Sequence, residues 1–218
     1  MFSGISVKFL LCTDYPDNWD DMGPSEEVKL SLLDPLTEDE EYERVINQFK
    51  LTLPDVAVLK IERVQNKILW KRYHNRCQLM RKFNTAYLRD ELLFHGTRQN
   101  KPEQIYGGGE GFNMHFSRDG LWGRGNYFAV NSSYSNGFAH RTSGGVKKMF
   151  AAWVLTGNSV YSPPNGRLVQ PPYMPVANQE NVVQRRYDSV NGTAGGTRVY
   201  ITYDNEHAYP AYLITYKE

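Results

Sequence analysis

Glycines at 107–109 and 111, 123 and 125, 144 and 145, and 195 and 196 cut the second half of this 218-residue chain into stretches too short for ordinary helices. The runs left among them, 92–95, 126–130, 149–155, 199–203 and 211–216, are rich in aromatic and branched residues and read as strands. The first half has a different texture. Thr37 and Glu40 form a capping box, and Tyr42, Val45, Ile46 and Phe49 follow at helical spacing. Pro54 ends that pattern, and "VAVLKIERV" at 56–64 predicts a strand with Val56, Val58 and Ile61 inward. A second helix is predicted over about 66–82, with Leu69, Tyr73, Cys77 and Met80 on one face. Its Lys67, Lys71, Arg72 and Arg81 read as a solvated basic face. A short helix is expected after Val130, where Asn131, Ser132 and Ser133 offer caps ahead of Tyr134 and Phe138. Helices first and strands after argue for an α+β fold.

Composition narrows the function classes. Twenty-five basic residues against 24 acidic ones leave a formal charge of +1, and no basic run marks a duplex-nucleic-acid partner. Two cysteines, Cys12 and Cys77, support neither a disulfide framework nor a metal site, so no metal is expected. The apolar patch around residues 9–11 is too short for a signal peptide, and no segment reaches the roughly 20 apolar residues of a membrane span. An intracellular chain, cytoplasmic or nuclear, is the expectation. "NSS" at 131 and "NGT" at 191 match the glycosylation tripeptide, which matters only in a secreted protein.

The glycines suggest a nucleotide, yet the usual fingerprints fail. Gly123-x-Gly125 is followed by Phe128 where a Rossmann motif needs glycine, and "GGGEGF" at 107–112 lacks the Lys-Ser/Thr ending of a P-loop. A nucleotide held here needs another geometry.

"LLFHGT" at 92–97, "GFN" at 111–113, "GRGNYFAV" at 123–130, "WVLTG" at 153–157, "YDSV" at 187–190 and "YDNEHAYPAYLITY" at 203–216 occur in the order and spacing of one catalytic domain. Together they resemble the poly(ADP-ribose) polymerase family. Upstream, "DNWDDM" at 17–22, "EYERVINQF" at 41–49 and "IERVQNKILWKRY" at 61–73 are similar to the lead-in of its macrodomain-containing, mono-ADP-ribosylating branch. The resemblance covers 15–218 as one catalytic domain and leaves 1–14 as an unassigned leader. It implies N-terminal helices packed on a split, mostly antiparallel β-sheet, the ADP-ribosyltransferase fold and not a Rossmann unit. It also implies NAD as cosubstrate, no metal, acceptor proteins that include the enzyme itself, and no activation by DNA breaks.

The resemblance implies roles residue by residue. His95 matches the histidine that bonds the adenosine ribose, and Gly96 the backbone that clamps the nicotinamide amide, where no Cβ can intervene. Tyr127 matches the tyrosine lining the nicotinamide pocket, and Ser135 the hydroxyl on the carboxamide oxygen. Phe138 fits the second stacking aromatic, while Tyr134 reads as core. The same motifs place Thr97, Gly111, Phe112, Asn113, Phe128 and Ala129 against the dinucleotide. The segment 113–122 corresponds to a donor loop whose Arg118 reaches phosphate. His74, His115 and His140 read as ordinary surface or loop histidines.

Val199 falls in the slot where polymerising members carry glutamate. A valine takes no proton, and extending a polymer needs a base for a ribose hydroxyl. Glu206 reads as a solvated charge, and a register slip to Arg198 or Tyr200 points to the opposite face of the strand. A mono-ADP-ribosyltransferase is therefore expected. The alternatives are a non-catalytic module of the same fold, an NAD glycohydrolase, and a transferase acting on nucleic-acid ends.

Overall fold

The computed structural model describes residues 15–36, 40–83, 90–175 and 184–218. The leader 1–14 with Cys12, and Thr37 of the capping box, lie outside them. Along the chain run β1 (Val28–Leu32), α1 (Glu40–Lys50), β2 (Ala57–Asn66), α2 (Lys67–Phe83), β3 (Asp90–His95), α3 (Glu103–Tyr106), β4 (Asn126–Ala129), α4 (Ser132–Asn136), β5 (His140–Arg141), β6 (Val146–Leu155), β7 (Ser159–Tyr161), β8 (Ser189–Ala194), β9 (Thr197–Thr202) and β10 (Ala208–Lys217). All the predicted strands are present. β1, β5, β7 and β8 are additions, the last hidden in the polar, glycine-bearing "SVNGTA".

One sheet of order β1-β2-β10-β6-β3-β4-β9-β8-β7 organises the chain, with β5 paired to β6. Every pairing is antiparallel except β7 with β8. This is the expected α+β arrangement. The sheet is covered on both faces, so β10 is buried along almost its whole length instead of alternating. Val45 and Phe49 of α1, and Leu69, Tyr73, Cys77 and Met80 of α2, pack with Ile214 and Tyr216 on one face. Leu213, Phe150, Phe112 and Phe128 form the core on the other. Trp122, Ala129, Val190, Val199 and Ile201 make a third cluster under the β4–β9–β8 end.

A bulge explains how Val58 and Ile61, three residues apart, join the same core. Tyr216 pairs with Val58 and Thr215 with Lys60, which leaves Leu59 as the extra residue and flips the alternation there. One sequence expectation needs correction. Arg72 is half-exposed but not free: its guanidinium bonds the Gly109 carbonyl and pairs with Glu206 at 3.2 Å, tying α2 to the turn Asn205–His207. Lys71 and Arg81 are exposed as expected. Asn191 of the second glycosylation tripeptide is buried in β8, with its amide donating to Ser159 Oγ at 2.8 Å. No helix among the described residues is long and apolar enough to cross a membrane.

Ile214 has no exposed surface and sits between β2 and β6. Ile214→Ala is expected to cost about 2–5 kcal/mol in urea denaturation. Leu32→Ala, at a site 66% exposed on the edge strand, is expected to stay within about 0.5 kcal/mol.

Candidate active site

The sheet is nearly cut in two between β3 and β4. These strands share a single ladder pair, Phe94 with Ala129, whereas β3 pairs along its whole length with β6 and β4 with β9. Past that pair the strands part at His95 and Tyr127. One hydrogen bond spans the opening, from His95 Nδ1 to the Tyr127 carbonyl at 2.8 Å. A carbonyl only accepts, so Nδ1 carries the hydrogen and Nε2 of the neutral ring keeps its lone pair. Burial beside the rings of Phe112 and Phe128, 5.0 and 5.3 Å away, pushes the imidazole pKa below its ordinary value, and the Tyr127 carbonyl only partly offsets this. His95 therefore presents an acceptor to the cleft.

Gly96 follows at once, and a Cβ there would stand 2.3 Å from the Phe138 carbonyl carbon. The glycine is thus required by the Phe138–Ala139 backbone packed against it, a constraint from the protein side of the cleft beyond the ligand-side reason expected from sequence. α4 carries the next wall. Ser132, wholly buried, anchors it by donating to the Phe49 carbonyl at 2.5 Å. Ser135 is buried and donates to the Phe94 carbonyl at 2.9 Å, so its lone pairs are available, and donating to a ligand requires its hydroxyl to rotate. Phe138 is half-buried. Tyr134 is half-buried too, 5.2 Å from Phe138, and lines the cleft as well as the core, which corrects its reading as core alone.

Tyr127 is fixed at its far end. Its hydroxyl donates to the Gly123 carbonyl at 2.6 Å and accepts from the Trp122 amide at 2.9 Å. Desolvation pushes this phenol up to about 12, so it stays protonated at neutral pH. A Cβ at Gly120 would stand 2.6 Å from that hydroxyl, which lets the loop 113–122 close over the ring only with glycine there.

These groups border one cleft of about 850 Å³, large enough for a dinucleotide. His95, Gly96, Thr97, Phe112, Asn113, Arg118, Tyr127, Ala129, Ser135, Phe138 and Val199 all line it. Gly111 and Phe128 do not; they are buried behind its wall. Val199 is fully buried, paired through β9 with Ala129 and Gly192, and faces the cleft. The only carboxylate among the lining residues is Asp119, exposed on the loop, against Arg98, Arg118 and Arg141. Glu206 lies outside the cleft in its pair with Arg72.

Sequence reasoning missed three contributors. His140, read as an ordinary loop residue, lines the cleft and bonds the Arg98 carbonyl through Nδ1 at 2.9 Å. Asn126, buried at the start of β4, donates to the Phe112 carbonyl at 2.7 Å and accepts from Ser117 Oγ at 3.2 Å. Asn205 accepts the Met114 amide at 2.9 Å. The two asparagines hold the base of the loop, and only their position beside Tyr127 and in "YDNEHAYP" hinted at a role. His74 and His115 do not line the cleft. Among the described residues no group of three or more His, Cys, Asp or Glu could hold a metal ion.

The chain is similar over most of its length to proteins of named activity. The family model described as the poly(ADP-ribose) polymerase catalytic domain matches residues 39–218. A probable poly [ADP-ribose] polymerase of Dictyostelium discoideum is 34% identical over 94% of the chain, and the chain spans 58% of that protein. The protein mono-ADP-ribosyltransferases PARP12 and PARP14 of Homo sapiens are 32% and 30% identical over 97% and 94% of the chain, which spans 29% and 11% of their lengths. With a matched region that contains the whole cleft, from β3 through β10, the chain belongs to the poly(ADP-ribose) polymerase catalytic-domain family.

Proposed function

We propose that the chain is an NAD-dependent protein mono-ADP-ribosyltransferase. The observation that carries the reading is a dinucleotide-sized cleft with the His95 acceptor on one side and the buried aliphatic Val199 in place of a base on the other. The relatives' names divide between poly and mono, and Val199 supports mono.

The reaction breaks the bond between ribose C1″ and the pyridinium nitrogen. The bonding pair leaves with the nitrogen, giving neutral nicotinamide and an oxocarbenium-like ribose. The acceptor, already ionised as a carboxylate or thiolate in solution, then bonds C1″ with its own lone pair, so no proton has to pass to the protein. His95 Nε2 accepts from a ribose hydroxyl and fixes the sugar, Tyr127 and Phe138 flank the departing ring, and the Gly96 backbone with Ser135 holds its amide. Arg118 meets the pyrophosphate. Val199 offers no proton acceptor, so a ribose hydroxyl of a first ADP-ribose is not activated and a second unit is not added. Acceptor proteins, the enzyme among them, supply a nucleophile that ionises without help.

Three measurements test this reading. With labelled NAD, the protein gives discrete mono-modified species; a ladder of polymer overturns the mono assignment, and nicotinamide release without protein-bound label favours a glycohydrolase. His95→Ala loses roughly 100-fold or more in automodification, by analogy with removal of one oriented catalytic hydrogen bond. Val199→Ala, by contrast, keeps activity within about threefold while destabilising the fold by ~1–3 kcal/mol, because only packing is removed. Equal labelling by wild type and His95→Ala favours a binding module.

The pH dependence has a definite sign. The folded-state pKa of His95 lies below the ordinary 6.5, so the neutral acceptor persists as pH falls through 6.5, and kcat/KM stays flat there before declining at lower pH. His207, buried beside Arg76, is depressed to about 4. Both histidines refuse protons that the unfolded chain takes up, so stability is lost as pH drops below about 6.5. A loss of kcat/KM with a midpoint above 6.5 excludes the neutral-imidazole assignment.

A further inference from the structure

Arg98 is the only non-glycine among the described residues with a positive φ, at 53°. A left-handed arginine beside a binding cleft is strain that surrounding contacts must hold in place. Those contacts are all to one segment. Its amide donates to the Phe138 carbonyl at 2.7 Å, its carbonyl accepts from His140 Nδ1 at 2.9 Å, and its guanidinium lies 4.4 Å from the centroid of the Phe138 ring. The turn thus parks a permanent cation on an aromatic wall of the cleft, at an exposed position.

The charge matters because of what the wall meets. Resting on the reading of the cleft as an NAD site, the ring beside Phe138 is a cationic pyridinium before bond cleavage and a neutral pyridine after it. An aromatic face attracts cations through its quadrupole. At Phe138 that attraction is already engaged by Arg98. Arg98 closes that face to any ring, so a ligand ring stacks on the other face, where a cationic one meets the Arg98 charge across Phe138. A neutral ring suffers no such repulsion. We propose that Arg98 is a specificity-determining residue that makes the Phe138 wall disfavour the cationic ring of the substrate relative to neutral nicotinamide. The same discrimination favours the step in which positive charge leaves the ring for the ribose.

The test compares two probes of nearly the same shape, nicotinamide and its permanently cationic N1-methyl derivative, as competitive inhibitors of the full chain. Arg98→Gln is expected to narrow the preference for the neutral probe by roughly 3- to 10-fold, the scale of one nearby charge at a partly exposed site. It is also expected to lower KM for NAD while lowering kcat. Arg98→Lys is expected to keep most of the preference, and unchanged thermal melting of both variants checks the fold. An unchanged preference in Arg98→Gln overturns the inference. So does a rise in KM for NAD matched by weaker inhibition by ADP-ribose, which lacks the ring and assigns Arg98 to phosphate. Wild-type protein that neither binds nicotinamide nor turns over NAD overturns the transferase reading itself.

Discussion

One hydrogen bond, from His95 Nδ1 to the Tyr127 carbonyl, sits where the sheet comes closest to being two sheets. On one side, β2, β10, β6 and β3 form a continuous slab buried on both faces; on the other, β4, β9, β8 and β7 form a second. A single ladder pair joins them, so the gap beyond it is a cleft by default. The histidine closes the base of that gap and, by spending Nδ1 on the carbonyl, is left with one acceptor to offer. The same ring closes the gap and presents an acceptor to the cleft, and its burial lowers its pKa.

The walls are built by backbone tolerances more than by side-chain strength. Gly96 lets β3 run against the backbone at Phe138, and Gly120 lets the loop 113–122 fold down on the Tyr127 hydroxyl. Asn126 and Asn205 then hold the base of that loop from the strand and from the turn after β9. The turn is itself tied to α2 through Arg72 and Arg76. The helical layer thereby reaches the cleft although none of its side chains lines it.

Much of the cleft was legible because the motifs that resemble the family fall at strand ends and glycine-bearing turns, where the backbone passes from core to surface. Eleven of the thirteen residues expected at the site do line the cleft. The exceptions are instructive. Phe128 belongs to "GNYFAV" but alternates away from Tyr127 into the core, and Gly111 packs beside Leu69 behind Phe112. His140 and Tyr134 were misplaced for the opposite reason: each lies on a short element, β5 or α4, with too few residues to show which way a side chain faces.

The sequence by itself determined the strand-rich second half, the amphipathic faces of α1 and α2, the failure of the Rossmann and P-loop patterns, and the aliphatic residue in the slot of a base. The first three are local properties, set by periodicity and residue type; the place of Val199 is what the family resemblance implies. Tertiary structure alone decided the single-pair joint between β3 and β4, the bulge at Leu59 that brings Val58 and Ile61 to one core, the tautomer of His95, and the strained Arg98 turn against Phe138. Each depends on a partner distant along the chain, and local pattern carries no record of which distant backbone a side chain will meet.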